Sequence, residues 1–253
     1  MNLKRVLVGV YALTFHSTKK LILGKKAIIT ILVALFVAAV MGYAGSMSDD
    51  PLEDGTNLMD TLILFFFMPV MAMIFGSSLI RDEIDDKSIT HVATAPLDRA
   101  FSYVGYYLPL GIAVAVSMVI ISSVGMLAFF GQHGGVGSES IEIYLEFVAL
   151  VVIGSFVYSS LFLAISVLFS KPVLVGLFYA FIWEAGIASL PGAIQNASIK
   201  HYLRSVASGW AEYGDLGRWD QASSVGGSVA LLVVLTVFLL FLGAYVFREK
   251  ELA

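Results

Sequence analysis

Few side chains in this sequence could carry out covalent or metal chemistry. The chain has no cysteine, and its four histidines (His16, His91, His133 and His201) lie on four separate segments. A zinc site needs three or four ligands close together, so the histidine spacing predicts no compact metal site. No nucleophile, base and orienting residue follow one another in a recognisable order.

Glu184 is the one carboxylate well inside a long apolar run. An aspartate at the centre of a membrane-spanning helix costs about 2.5–3.5 kcal/mol on insertion scales, so such residues usually face a bundle interior or a cavity. One interpretation is that Glu184 faces a pathway or stabilises a gate. The alternative is structural, a bond to a neighbouring helix or contact with water near a boundary at Pro191. Trp183 beside it is expected to pack or to anchor at the membrane interface.

The stretch Ile80–Ala100 places nine charged or titratable side chains between two long apolar runs. Its apolar residues recur roughly along one side of a helix, namely Ile80, Ile84, Ile89, Val92 and Ala95. Pro96 is expected to end that helix, because proline has no N–H and disfavours helical backbone at the residue before it. The pattern predicts a short surface helix, or else a solvated loop whose charges serve only solubility and topology.

The chain lacks a nucleotide-binding loop. A phosphate-cradling loop requires the spacing G-x-x-x-x-G-K-[ST]. The Gly24-Lys25 pair has Lys19 five residues before the glycine and Lys26 after the lysine, so it does not fit. No ATP binding by this chain is predicted, and energy would have to come from a partner, or the protein is passive.

Long apolar segments must position these side chains. The 253 residues are 58% hydrophobic and 13% charged, with a mean hydropathy of +0.89, and this is far more apolar than a typical soluble domain. A large soluble helical core is the alternative, but soluble helices carry a polar face that these runs lack. Six runs approach the roughly 20 residues that a spanning helix needs. They are Ala27–Ala44, Leu58–Ile80, Tyr103–Phe130, Phe147–Phe169, Val173–Leu190 and Val225–Phe247.

Basic residues indicate which side of the membrane each loop occupies, since cytoplasmic loops retain lysine and arginine. With six spans and both termini inside, only Lys200, Arg204 and Arg218 of the fifteen Lys and Arg residues lie outside. The first two outer loops are acidic, with Asp49, Asp50, Glu53, Asp54 and Asp60 in the first and Glu139, Glu142 and Glu146 in the second. We therefore predict a multi-pass protein of the cell membrane with both termini in the cytoplasm.

Two segments outside the spans have an amphipathic pattern. Residues of about 3–23 place apolar side chains at helical spacing before a basic cluster, as in an interfacial elbow helix, or else form an ordinary cytoplasmic tail. The outer segment after Pro191 carries Ile194, Ile199, Tyr202, Leu203 and Val206 at helical spacing. It is either an amphipathic helix or a loose surface loop.

Two motifs resemble a known family. The stretch "LIRDEIDDKSITHVATAPLDRAFSYVGYYLP" after the second run has an acidic segment, a threonine two residues before a proline, a basic residue and an aromatic start to the third run. The stretch "LFYAFIWEAGIASLPG" is similar to the fifth span of many small permeases. Together with six spans and an elbow they resemble the permease subunit of an ABC-2 type (type 2 ABC exporter) transporter. The chain has Lys87, Ser88 and Ile89 where the family commonly has Gly-Thr-Leu.

The resemblance implies a fold, partners and site residues. The fold would be an all-α membrane protein, one permease domain over residues 1–253, with six transmembrane helices, an elbow, a cytoplasmic coupling helix and outer gate helices after the fifth span. The coupling helix would dock on an ABC nucleotide-binding subunit through Asp82, Glu83, Asp85, Asp86, Lys87, Thr94, Pro96 and Arg99. Candidate intramembrane or gate residues are Trp183, Glu184, Pro191, Gly192 and Tyr202.

The resemblance also implies an activity without catalysis by this chain. ATP and Mg²⁺ would bind the partner ATPase, two permease copies would enclose one pathway among membrane lipids, and no nucleic acid would take part. A passive channel or a membrane scaffold or sensor without ATP coupling is the alternative, and an intramembrane enzyme is a more distant one. The transported substrate is not indicated, because apolar faces suit lipids, peptides and drugs equally.

Overall fold

The chain is helical throughout its described regular structure. The computed structural model describes Thr14, residues 17–85, 99–186, 193–210 and 214–217, Trp219 and residues 222–250. The α-helices in chain order are α1 (Lys25–Gly45), α2 (Pro51–Leu58), α3 (Met68–Asp85), α4 (Arg99–Phe130), α5 (Ser138–Leu168), α6 (Pro172–Leu177), α7 (Ile199–Ser208), α8 (Gly214–Gly217) and α9 (Val225–Lys250). Two π-helical segments, Met59–Phe67 and Phe178–Glu184, join α2 to α3 and extend α6. Short 3₁₀ turns cover Gly131–His133 and Ala193–Ala197.

Five stretches of the described chain are long and apolar enough to cross a membrane. They are Lys25–Gly45, Pro51–Ser77, Tyr103–His133, Ser138–Leu168 and Val225–Glu249. Each overlaps one of the six runs predicted from the sequence, so five of the six predictions are confirmed as helices of spanning length. We call these five the first, second, third, fourth and last spans.

The remaining prediction, Val173–Leu190, is not confirmed at that length. The apolar helix described there is Pro172–Glu184, which at 1.5 Å per residue covers about 20 Å of a hydrocarbon core about 30 Å thick. It ends in a turn at Ala185 and Gly186. Residues 187–192 lie outside the described residues. The prediction extends the helix through this turn because the apolar composition continues there, and composition alone does not show where a helix ends.

Two spans start earlier than their apolar runs. The second begins at Pro51, where proline occupies the first turn and the Asp50 carboxylate accepts a hydrogen bond from the Glu53 N–H at 3.3 Å. The fourth begins at Ser138, with Glu139 in its first turn. Acidic side chains stabilise helix N-termini through the helix dipole. Both helices therefore begin in charged segments that are expected to lie outside the hydrocarbon core.

The first four spans alternate in direction and the last runs parallel to the fourth, so the bundle has two ends. At the Lys25 end, which holds the start of α1, the end of α3 and Lys171, the Lys26 Nζ donates to the Phe75 carbonyl at 3.0 Å. The opposite Gly45 end holds the α1–α2 turn, the acidic start of α5 and helix α7. There the Asp215 N–H donates to Asn57 Oδ1 at 2.8 Å.

Small residues bring the spans close together. In the contact between α1 and α4, a Cβ added at Gly125 would lie 2.6 Å from Met41 Sδ, and the Thr30 hydroxyl donates to Ser117 Oγ at 3.2 Å. A Cβ at Gly154 of α5 would overlap Met68 Sδ of the second span. In lipid, where apolar burial drives association weakly, such close approach provides the packing energy.

The predicted elbow lies mostly outside the described residues. Residues 17–23 are helical and Gly24 separates them from α1. The elbow over residues 3–23 therefore stays a prediction.

The amphipathic helix predicted in the outer segment is confirmed as α7. Its N-cap Ser198 accepts a hydrogen bond from the His201 N–H at 3.0 Å. Ile199, Leu203 and Val206 are buried in the bundle. The pattern of apolar residues thus predicts the helix and three of its buried residues. Ile194 instead lies in the 3₁₀ turn before α7 and is 47% exposed, and Tyr202 is half-buried.

Candidate functional site

The two π-helical segments lie next to each other within the bundle, and each carries a buried carboxylate. Asp60 follows the first residue of Met59–Phe67, and Glu184 is the last residue of Phe178–Glu184. The rings of Phe66 and Phe181 join the segments, edge to face, with centroids 5.8 Å apart. The π-helix is rare and frequently occurs at functional sites. This juxtaposition is the most unusual backbone feature of the described bundle.

Glu184 is enclosed by hydrogen-bond donors from three helices. Its side chain is 2% exposed, and its Oε1 accepts from the Tyr179 hydroxyl at 2.7 Å and the Tyr158 hydroxyl at 3.1 Å. The backbone N–H groups of Ile199 and Lys200 also point to Oε1, at 3.2 and 3.4 Å. Four donors on one oxygen offset part of the cost of burying a charged carboxylate, because hydrogen bonds to a charged acceptor are the stronger kind.

These contacts make Glu184 a second cap for α7. The first N–H groups of a helix have no acceptor within it and carry a partial positive charge. Ser198 satisfies one of them from within the segment, whereas Glu184 satisfies two from another helix. Glu184 therefore forms hydrogen bonds to a neighbouring helix, as its structural interpretation expects.

Asp60 holds the same helix one turn further on. It is 3% exposed, and its Oδ2 lies 3.6 Å from Arg204 Nη2. The Arg204 guanidinium also lies 5.5 Å from the Phe65 ring centroid and 5.0 Å from that of Trp219. A guanidinium between two aromatic faces and a buried carboxylate has both cation–π and ionic attraction to keep it in place.

The remaining polar side chains of α7 are also enclosed. Lys200 Nζ lies 4.1 Å from the centroid of the Phe65 ring. Burial lowers the pKa of Lys200, and the nearby Arg204 charge acts in the same direction, whereas Asp60 and Glu184 raise it. Burial also lowers the pKa of His201, so this imidazole is neutral near pH 7, and its Nε2 lies 3.2 Å from Ser223 Oγ.

The cluster is incompletely satisfied. Among the described residues, Glu184 Oε2 and Asp60 Oδ1 are buried and meet no hydrogen-bond donor, and Arg204 Nε meets no acceptor. A buried polar group without a partner costs about 1–3 kcal/mol. The arrangement is therefore less stable than a fully paired network of the same groups.

The structure describes part of each predicted set of site residues. Of the gate candidates, Glu184 binds α7, the Tyr202 hydroxyl donates to the Asn196 carbonyl at 2.8 Å, and Trp183 is half-buried. Pro191 and Gly192 lie outside the described residues. Glu184 and Tyr202 are thus brought to the same end of the bundle, on neighbouring helices.

The predicted docking segment is described only at its two ends. Asp82, Glu83 and Asp85 lie in α3, which continues beyond Ser77 without a break, and Arg99 begins α4. The others, Asp86, Lys87, Thr94 and Pro96, lie outside the described residues. Their docking role stays a prediction.

Sequence reasoning missed Asp60 and Arg204. The charge pattern assigns Asp60 to the acidic first outer loop, although Asp60 lies inside the predicted run Leu58–Ile80. Arg204 follows Lys200 by four residues, so both fall on one side of α7. The available signal was two cations at helical spacing on an amphipathic helix and a second carboxylate inside an apolar run.

No cofactor or metal site is evident in the described part of the chain. No group of three or more metal-ligating side chains converges there. The arrangement around α7 can hold a helix in place. Its serine–histidine contact, Ser223 Oγ to His201 Nε2, lacks an orienting partner on His201 Nδ1 among the described residues.

Comparison with known proteins identifies the family. No curated protein matches the chain. The sequence pattern of a family described as ABC-2 family transporter protein matches residues 19–184, from the segment before α1 to the carboxylate that holds α7. Because this match covers more than half of the 253 residues and joins a multi-pass helical fold, the chain belongs to the ABC-2 transporter family and is a permease of the ABC-2 type.

Proposed function

We propose that this chain is the membrane-spanning permease subunit of an ABC exporter, driven by separate nucleotide-binding subunits. The family match over residues 19–184 is the observation that carries the proposal. ATP and Mg²⁺ bind the partner, since the sequence has no phosphate-binding loop. Two copies of the chain, surrounded by lipid, enclose one pathway.

The proposed topology has six crossings with the Lys25 end in the cytoplasm. Lys25, Lys26, Lys171 and Arg248 lie at or near this end, whereas the Gly45 end carries the acidic starts of α2 and α5. This distribution follows the positive-inside rule. The fifth crossing consists of Pro172–Glu184 together with the segment that comes after it.

The proposed contact with the ATPase is the cytoplasmic segment from Asp82 to Arg99. Helix α3 extends from Ser77 to Asp85 beyond the second span, a protrusion of about 12 Å at 1.5 Å per residue. A helix continuous with a span transmits a displacement of its tip to the membrane, because it moves as one rigid element. Charged side chains on the segment give complementarity, and hence register, with a soluble partner.

The proposed outer gate is helix α7. It lies at the Gly45 end, which is external in this topology, and packs between the second, fourth and last spans through contacts to Asp60, Gly154 and Val225. Movement of α7 would open that end of the bundle.

Co-purification tests the proposal. The chain is expressed together with a candidate ABC ATPase from the same genome. Binding of that ATPase is compared with binding to the variant that combines Asp82→Ala, Glu83→Ala, Asp85→Ala and Asp86→Ala. We expect the quadruple variant to lose most of the bound ATPase, because the docking charges are gone. A matched control removes four exposed carboxylates at the other end, Asp49, Glu139, Glu142 and Asp215.

Two results would contradict the proposal. Equal ATPase recovery with the quadruple variant and the wild type would exclude docking through this segment. Full transport by the purified chain without any nucleotide-hydrolysing partner would instead indicate a passive channel.

A further inference from the structure

Helix α7 is held from outside by two anchors that belong to different membrane helices. Glu184, at the end of the π-helical extension of α6, holds the N–H groups of Ile199 and Lys200. Asp60, in the second span, holds Arg204. Any displacement of the second span relative to Pro172–Glu184 must therefore lengthen at least one of these contacts.

Each anchor lies in a π-helical segment, a backbone form that can be exchanged for α-helix. A π-helical segment accommodates one residue more than an α-helix in the same hydrogen-bonded turn, and the exchange of one form for the other rotates the rest of the helix by about 100°. Glu184 is the last residue of its segment, so such an exchange would turn its carboxylate away from α7. Phe66 and Phe181 join the two segments, so a change in one is felt by the other.

From these contacts we propose that Glu184 and Asp60 are the two positioning residues of a latch that keeps α7 closed, and that α7 is released when the π-helical segments rearrange. This inference rests on the proposed transport function for its purpose, the opening of the outer end. The observation that it uses is independent of any ATPase: two buried carboxylates on two adjoining π-helical segments hold one amphipathic helix.

The two carboxylates hold α7 weakly enough for the helix to be released. Glu184 Oε2 and Asp60 Oδ1 meet no donor among the described residues, so each carboxylate uses only one oxygen on α7. The capping hydrogen bond from the His201 N–H to Ser198 lies within the α7 segment, so release does not break it. Release breaks contacts with neighbours, including the packing of Leu203 on Gly154, and it uncovers Val206 and Ala207.

Cysteine labelling measures release directly, because the chain has no cysteine of its own. Ala207 is 1% exposed in α7, and Ala207→Cys serves as the reporter for a membrane-impermeant maleimide applied to the full chain in proteoliposomes. Glu184→Gln and Asp60→Asn are each added to this reporter, singly and together. Both substitutions keep side-chain size and remove charge.

We expect each single substitution to raise the labelling rate by about tenfold, since each weakens hydrogen bonds to a charged group. In the double variant the two factors should multiply, because release must break both anchors. Glu184→Asp, which keeps the charge but has a shorter reach, should fall between wild type and Glu184→Gln. Should Glu184→Gln not accumulate, Glu184→Asp and Asp60→Asn carry the same comparison.

A second reporter separates release of α7 from general loosening. Ala113→Cys lies in the third span and is fully buried, away from α7. Its labelling should stay at the wild-type rate in every variant. Equal increases at both reporters would show a purely structural role, and unchanged labelling at Ala207→Cys would show that the carboxylates do not hold α7; either result overturns the latch. Failure of ATPase co-purification would refute the proposed function and leave this measurement intact.

Discussion

The Oε1 atom of Glu184 accepts hydrogen bonds from two tyrosine hydroxyls and two backbone N–H groups, and these four bonds differ in length. The Tyr179 bond is the shortest at 2.7 Å, and the Tyr158 bond is 3.1 Å. Tyr179 lies on the same short helix as Glu184, whereas Tyr158 belongs to α5. The first therefore orients the carboxylate within its own helix, and the second ties that helix to the fourth span.

Removal of the Tyr179 hydroxyl should destabilise the protein more than removal of the Tyr158 hydroxyl. Hydrogen bonds to charged groups contribute about 1.5–3 kcal/mol, so Tyr179→Phe should lower the free energy of unfolding by about that amount. The midpoint of thermal unfolding in detergent measures the effect. Tyr43→Phe is the control, because Tyr43 is 65% exposed. An unchanged midpoint for Tyr179→Phe would mean that its hydroxyl contributes nothing to holding Glu184.

Sequence reasoning reached Glu184 but not its partners, and the reason is physical. A lone carboxylate in an apolar run can be recognised from the sequence alone, because the cost of burying a charge makes such residues rare. The partners Tyr158, Ile199 and Lys200 are defined by folding, which brings residues from different helices together. Asp60 looked like a loop residue because it lies near the boundary of its run.

At the scale of helices, apolar length predicted where spans exist but not how their backbones are wound. Five runs form spanning helices. The π-helical turns at Met59–Phe67 and Phe178–Glu184 have no signature in hydropathy, because both segments lie within long apolar runs. The early starts at Pro51 and Ser138 follow from capping and from the helix dipole rather than from hydrophobicity.

The close approach of α5 to its neighbours at Gly154 offers a test of helix packing. A Cβ there would overlap Met68 Sδ and lie 3.1 Å from Leu203 Cδ1, so Gly154→Ala should push the second span and α7 away. Overpacking costs about 1–3 kcal/mol, and a lower midpoint of thermal unfolding should result.

Gly226 of α9 is the matched control for Gly154. A Cβ at Gly226 meets nothing within 4 Å, and alanine is the better helix former by about 1 kcal/mol. Gly226→Ala should therefore leave the midpoint unchanged or raise it. Equal loss of stability in both variants would show that the contact around Gly154 relaxes without cost.

At the scale of the whole molecule, the two ends of the bundle differ in charge and in construction. The Lys25 end is built from helix ends and lysines, including the Lys26 contact to Phe75. The Gly45 end is covered by α7 and α8, whose contacts reach the second span and the last one. A transporter that is driven at one face and opens at the other requires such a difference.

The direction of insertion decides whether these ends have the proposed roles, and single cysteines can establish it. Lys171→Cys lies at the Lys25 end and Gln132→Cys at the Gly45 end, both at exposed positions. The positive-inside rule places the lysine-rich end in the cytoplasm. In intact cells an impermeant maleimide should therefore label Gln132→Cys, and Lys171→Cys should react only after the membrane is permeabilised. The reverse pattern would put α7 on the cytoplasmic side and the end of α3 outside, where no cytoplasmic ATPase could reach it.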